Sequence, residues 1–205
     1  MFEASTFIVF LTAALTLAII PGPGMLYVLT RTLRGGRREG MLSTAGTGLA
    51  GMLHTFAAAL GLSAILATSA VAFGIVKWLG VAYLIYLGVK TLLQRATFAP
   101  AEIATPPAGG ALRQGFIAEI LNPKTALFFL AFIPQFVDPA SNAFWQFVAL
   151  GAITTLLTSG VDLIVVLCAS PLSSLLQRSR RLQLAQRYGT GAALVGLGVY
   201  VAVDR

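Results

Sequence analysis

Two short motifs place polar chemistry inside otherwise apolar sequence: Pro21-Gly22-Pro23-Gly24 and Asn122-Pro123-Lys124. Proline removes a backbone donor and clashes with the preceding turn, and glycine loosens the chain. Two of each within four residues predict a broken helix with open N–H and C=O groups that can meet a polar solute; a packing kink is the plainer alternative. In the second motif an amide, a helix breaker and a full positive charge stand together within Phe116–Phe132, a stretch otherwise mostly apolar. Lys124 could hold a solute carboxylate, pair with Asp162 or Glu119, or snorkel to an interface. Asp162 lies in another apolar run, between Gly160 and Leu163–Leu167. Apolar surroundings disfavour a carboxylate's charge. Asp162 is therefore a candidate proton carrier or ligand for a solute amine, with a structural ion pair to Lys124 as the alternative. Glu119 and His54, the single histidine, complete the proton-coupling candidates. The imidazole titrates in a suitable range, although a lone histidine also serves as a hydrogen-bonded packing residue.

The elements that must carry these residues are membrane spans. Of 205 residues, 57% are hydrophobic and 10% charged, against about 25% charged in a soluble domain. Mean hydropathy is +0.85. An all-α integral membrane protein follows, because a soluble fold of this size needs far more polar surface. A bilayer core takes about 20 mainly apolar residues per helix. Six stretches qualify: Ala4 to Leu29, Met41 to Ser69, Val71 to Leu93, Gly115 to Val137, Ala143 to Leu172 and Tyr188 to Val203. The last is short and could begin earlier. The first lacks a basic leader and a small-residue cleavage site, so it reads as a retained helix rather than a signal peptide.

The net charge of +7 is not a nucleic-acid footprint. Its arginines fall into two clusters between apolar runs, Arg31, Arg34, Arg37 and Arg38, then Arg178, Arg180, Arg181 and Arg187. No basic face with interleaved aromatics is present. Arg95 and Arg113 flank a Pro/Ala/Gly-rich linker, Phe98 to Ala111, whereas the 138–142 loop carries Asp138 and no basic residue. Alternate loops are thus basic, the pattern of cytoplasmic loops. Both termini are expected outside the cytoplasmic (inner) membrane.

An internal repeat is also expected. A shift of 100 residues lays Pro23 on Pro123 and Gly51 on Gly151; a shift of 110 lays Gly88-Val89 on Gly198-Val199. The chain then reads as one transporter domain. Residues 1–94 form a first three-helix repeat, 95–112 a cytoplasmic linker and 113–205 a second repeat. Three spans per repeat force the copies to be inverted, as in many secondary transporters. Helices 1 and 4 would be the broken pair. Gly40, Thr44 and Gly48, with Gly46 and Gly51 nearby, give the small-residue spacing that lets helices approach closely; such faces permit a homodimer without demanding one. Cys168, the single cysteine, excludes an intramolecular disulfide and, inside an apolar run, is expected to be a buried packing residue.

At these residues the sequence resembles the lysine exporter (LysE/RhtB) family of bacterial amino-acid efflux proteins. The likeness is carried by Pro21-Gly22-Pro23, Asn122-Pro123-Lys124 and the run Phe128-Phe129-Leu130-Ala131-Phe132-Ile133-Pro134-Gln135-Phe136. The Gly46/Gly51 stretch, Tyr83-Leu84-Ile85-Tyr86-Leu87-Gly88 and Asp162 add to it. The resemblance covers nearly the whole chain. It implies export of amino acids or their derivatives, homoserine- or threonine-like or otherwise neutral, against entering protons. On this reading Gly22, Pro23, Gly24, Asn122, Pro123 and Lys124 bind the solute, while Asp162, Glu119 and His54 couple it to protons. No cofactor or resident metal is expected. Export of a metal ion or another solute is the alternative. An intramembrane enzyme stands further off, since no matched set of nucleophile, base and acid is present.

Overall fold

The computed structural model describes residues 4–93, 110–138, 141–169 and 180–203, and among them every regular element is helical. The Pro/Ala/Gly linker, apart from its last residues Gly110 and Ala111, lies outside the described residues, as does Arg178. Helix α1, Ala4–Ile19, stops two residues before Pro21, and α2, Pro23–Thr68, starts with Pro23 as its first residue. Proline's missing N–H costs nothing at a first helical position. Helix α3, Ala70–Leu93, follows after Ser69.

Residues 31–38, expected as a loop, are helical except at Gly36, whose φ of 79° and ψ of 180° only glycine adopts easily. The chain folds back there. Thr32 and Gly40 touch, although a straight helix would hold residues eight apart at about 12 Å. Arg31 and Glu39 close the reversal with a salt bridge. Helix α2 is therefore two limbs, 23–35 and 37–68.

The second broken span mirrors the first in kind. Helix α4, Ala111–Ile120, ends before Asn122, and α5, Pro123–Leu127, again begins on a proline, its backbone fixed by the Asn122 side chain accepting from the Lys124 N–H. A wide π-helical turn, Phe128–Phe132, then leads into a 3-10 turn, Ile133–Phe136. Pro134 cannot donate to the helical ladder, and the wider turn moves the hydrogen bonding past it. Helix α6, Ala143–Leu167, is capped by Asn142. The last helix, α7, Arg180–Val203, begins eight residues earlier than the apolar pattern alone indicates.

Among the described residues, Pro23–Ile65, divided into two limbs by the reversal at Gly36, and Ala143–Leu167 are long and apolar enough to hold bilayer-crossing helix. Ala111–Ile120 with Pro123–Phe136, bent by 48°, forms a third candidate. The core gathers Phe10, Phe128, Phe132, Phe136 and Phe147, all buried, with the Phe128, Phe132 and Phe136 rings tilted against one another at centroid steps of 4.8 Å. Cys168 corrects its expectation: it is exposed at the end of α6, on the same outward side as Ile164 and Leu167. An apolar residue of a membrane protein need not face the protein interior.

Glycines set the helix contacts, and two pairs of contacts are reciprocal. A Cβ on Gly51 would stand 2.9 Å from Thr155 Cγ2, and one on Gly151 2.6 Å from Thr55 Cγ2. A Cβ on Gly88 would stand 2.7 Å from Val195 Cγ2, and one on Gly198 2.8 Å from Ile85 Cγ1. Gly46 meets backbone rather than side chain, with the Phe116 nitrogen 2.8 Å from where its Cβ would be. Backbone cannot swing aside. Gly46→Ala should therefore destabilise the fold by about 1–3 kcal/mol, read as a lowered melting temperature in detergent, while an alanine at Gly61, where a Cβ meets nothing within 4 Å, should leave it unchanged.

Candidate functional site

A helix end leaves backbone groups without intrahelical partners, and hydrocarbon supplies none. The break between α1 and α2 therefore has to be satisfied by side chains or a ligand, and the second broken span supplies them. Lys124 Nζ donates to the carbonyls of Leu17 at 3.0 Å and Ile20 at 2.8 Å. Its stem lies across Gly22, where a Cβ would stand 3.0 Å from Lys124 Cε and 3.1 Å from Nζ. Positive charge at a helix C-terminus is also favoured by the helix dipole.

Glu119, the last polar residue of α4, faces the other side of the break. Its Oε2 accepts from Asn122 Nδ2 at 3.0 Å, and its Oε1 accepts from the Thr125 hydroxyl. The same Oε2 lies against Gly24, in the space a side chain would need. The glycines of the first motif thus make room for two charged groups of the second broken span, Lys124 and Glu119. Gly24→Ala should push the Glu119 carboxylate off Asn122 and Thr125. We expect transport to fall at least tenfold with surface expression retained, a result read by labelled-solute efflux beside an immunoblot of the membranes.

These groups line one cavity of about 30 Å³, together with Thr47, Thr154, Thr155, Thr158 and Asp162. It has room for roughly two ordered waters, so a larger solute enters only when the walls part. Asp162 is buried and accepts from the Thr47 hydroxyl at 3.0 Å. The alternative of a direct ion pair from Lys124 to Asp162 or Glu119 is not what forms; among the described residues the salt bridge is Arg31–Glu39. Helix α2 has no side-chain cap on Gly22, and Leu26 is the first N–H to bond back, to the Gly22 carbonyl. That leaves the Gly24 and Met25 N–H groups ahead of the ladder, with Gly22 and Met25 on the cavity wall. The Thr155 hydroxyl is buried with no hydrogen-bond partner.

The structure thus brings Gly22, Asn122, Lys124, Glu119 and Asp162 together around the cavity, with Gly24 packed against the Glu119 carboxylate and Pro23 and Pro123 setting the backbone breaks. His54 stands behind it. Its Nε2 is 3.3 Å from the Glu119 carbonyl and its ring stacks on Phe129 at 5.8 Å. The threonines are what sequence reading missed. Thr154, Thr155 and Thr158 crowd one turn of an apolar helix, a signal visible as hydroxyls concentrated at mid-span. Among the described residues no group of three or more His, Cys, Asp or Glu side chains could hold a metal ion.

Comparison with known proteins gives a consistent picture. The model of a family described as LysE type translocator matches residues 15–205. An uncharacterized membrane protein, YrhP, from Bacillus subtilis (strain 168) is 31% identical over 200 residues, covering 93% of this chain and 95% of its own. A leucine efflux protein from Salmonella typhimurium is 33% identical over 132 residues, 63% of this chain and 62% of its own. An uncharacterized membrane protein from Vibrio cholerae is 29% identical over 99% of both chains. No solved structure matches.

Proposed function

The chain belongs to the LysE type translocator family, a membrane transporter rather than an enzyme, and from that premise we propose that it exports a small neutral amino acid or derivative by proton antiport. The observation that carries the proposal is the cavity between two proline-broken spans, which offers both signs of polar group in an apolar setting. A zwitterion needs an anion site and a cation site close together. For the carboxylate we assign the N–H end of α2 at Met25, on the cavity wall, where the helix dipole favours an anion, with the third N–H of Lys124. For the amine we assign Asp162, with Thr155 as an unpartnered hydroxyl available to either group. The similarity to a leucine efflux protein supports an amino-acid solute.

Coupling falls to Asp162, which binds either a proton or the solute amine. Proton entry displaces the amine and returns the site to its starting state. Glu119 is held by three neighbours and serves as the fixed counter-charge to Lys124, and His54 positions the Glu119 backbone.

The architecture that would move this site is a six-span inverted 3+3 repeat. The reciprocal contacts favour it: Gly51 with Thr155 against Gly151 with Thr55, and Gly88 with Val195 against Gly198 with Ile85. In each, a residue and its partner exchange places under the 100- or 110-residue shift, as across a two-fold axis. Rocking one repeat against the other opens the cavity alternately to each side. Both termini lie outside the cytoplasmic membrane on this topology, with the Arg31–Arg38 reversal inside.

The test is efflux from cells expressing the protein and loaded with a panel of labelled amino acids, with and without a protonophore. Faster release of a defined subset, abolished by the protonophore, is the expected result. An unchanged panel, with the protein confirmed in the membrane, would overturn the amino-acid assignment.

A further inference from the structure

We propose that Lys124 is a tethered cation: its ammonium fills a carbonyl cradle at the end of α1 that would otherwise take a free monovalent cation. Transport is therefore independent of sodium. The cradle is the carbonyl end of a half-helix inside the span, with Leu17 and Ile20 oxygens 3.0 and 2.8 Å from the nitrogen. In carriers with discontinuous helices, such carbonyl ends are where alkali cations bind. Here the charge arrives covalently, from the opposite broken span. It is delivered by construction: Asn122 fixes the Lys124 backbone, and Gly22 leaves the path of the stem clear.

The ammonium has three donors. Two face the carbonyls, and the third remains for the cavity that Lys124 lines. A metal ion in this place would bridge the same carbonyls to a solute carboxylate. Lysine does the same without dissociating, so the charge does not cross the membrane with each cycle.

This inference uses the export reading for one of its readouts only. The experiment compares wild type and Lys124→Ala, purified and reconstituted, with sodium, potassium, n-propylammonium or n-propanol added. Alanine removes three carbons and the nitrogen, the shape of n-propylammonium; n-propanol is its uncharged control. In detergent, the melting temperature of Lys124→Ala should rise with n-propylammonium or an alkali cation and stay put with n-propanol. Wild type should respond to none of them. Labelled-solute efflux by Lys124→Ala should recover at least threefold with the same cations, while wild-type efflux is unchanged when choline replaces sodium. A folded Lys124→Ala protein that answers to no cation, or a wild type that requires sodium, overturns the proposal. If Lys124→Ala does not fold, the sodium replacement on wild type still decides. Absence of wild-type efflux beside a cation-stabilised Lys124→Ala would instead count against the export reading alone.

Discussion

Lys124→Met abolishes detectable concentrative export and weakens solute binding by at least tenfold, while the protein still reaches the membrane. Methionine matches the length and apolar character of the stem but removes every donor. Two charge-assisted hydrogen bonds are lost, each worth about 1.5–3 kcal/mol. The Leu17 and Ile20 carbonyls are then left facing the break without a partner. Their desolvation cost favours reclosing α1 and α2 in other ways, and the Met25 donor loses its position. A loss of about 1.4 kcal/mol in solute binding already gives the tenfold. Binding by isothermal calorimetry on the purified variant, beside efflux, checks both halves. A variant that binds solute as tightly as wild type removes Lys124 from the carboxylate site.

The second large effect separates movement from coupling. Asp162→Asn retains shape and still accepts from the Thr47 hydroxyl, but the side chain no longer exchanges a proton. Solute exchange down its gradient should persist but weaken by about ten- to a hundredfold in affinity, the scale of replacing one charge-assisted contact to the amine by a neutral one. Export against a gradient should vanish, and the pH dependence of efflux should flatten. Counterflow in vesicles measures the first, and accumulation against a tenfold gradient the second. Thr47→Val, which removes a donor and leaves the carboxylate, should slow transport without uncoupling it. Retained uphill export by Asp162→Asn would move the proton to Glu119 or His54.

Much of this site was legible because breaking a helix in hydrocarbon needs an unusual local composition. Pro21-Gly22-Pro23-Gly24 and Asn122-Pro123-Lys124 announce their breaks, and Pro23 and Pro123 are the first helical residues after a gap. What the motifs leave open is the pairing between them. That Lys124 would cap the α1 carbonyls, instead of pairing with an acid, depends on how two spans a hundred residues apart cross. The same holds for Glu119 against Gly24. The arginine-rich stretch at 31–38 read as a loop because four like charges suggest one, yet a single glycine with positive φ suffices for the reversal. Cys168 was misplaced because apolar sequence marks lipid-facing and protein-facing positions alike. The threonine cluster went unread since Thr154 and Thr158, taken singly, are ordinary helix members bonding back four residues, and nothing in the sequence marks the Thr155 hydroxyl as unpartnered.

The most direct measurement is release of a labelled neutral amino acid from proteoliposomes holding the purified protein, with an imposed pH gradient. With the outside acidic, proton entry should drive release well beyond the rate at equal pH, and a protonophore should collapse the difference. Release that is indifferent to the gradient, from vesicles shown to contain folded protein, would contradict proton-coupled export through this cavity.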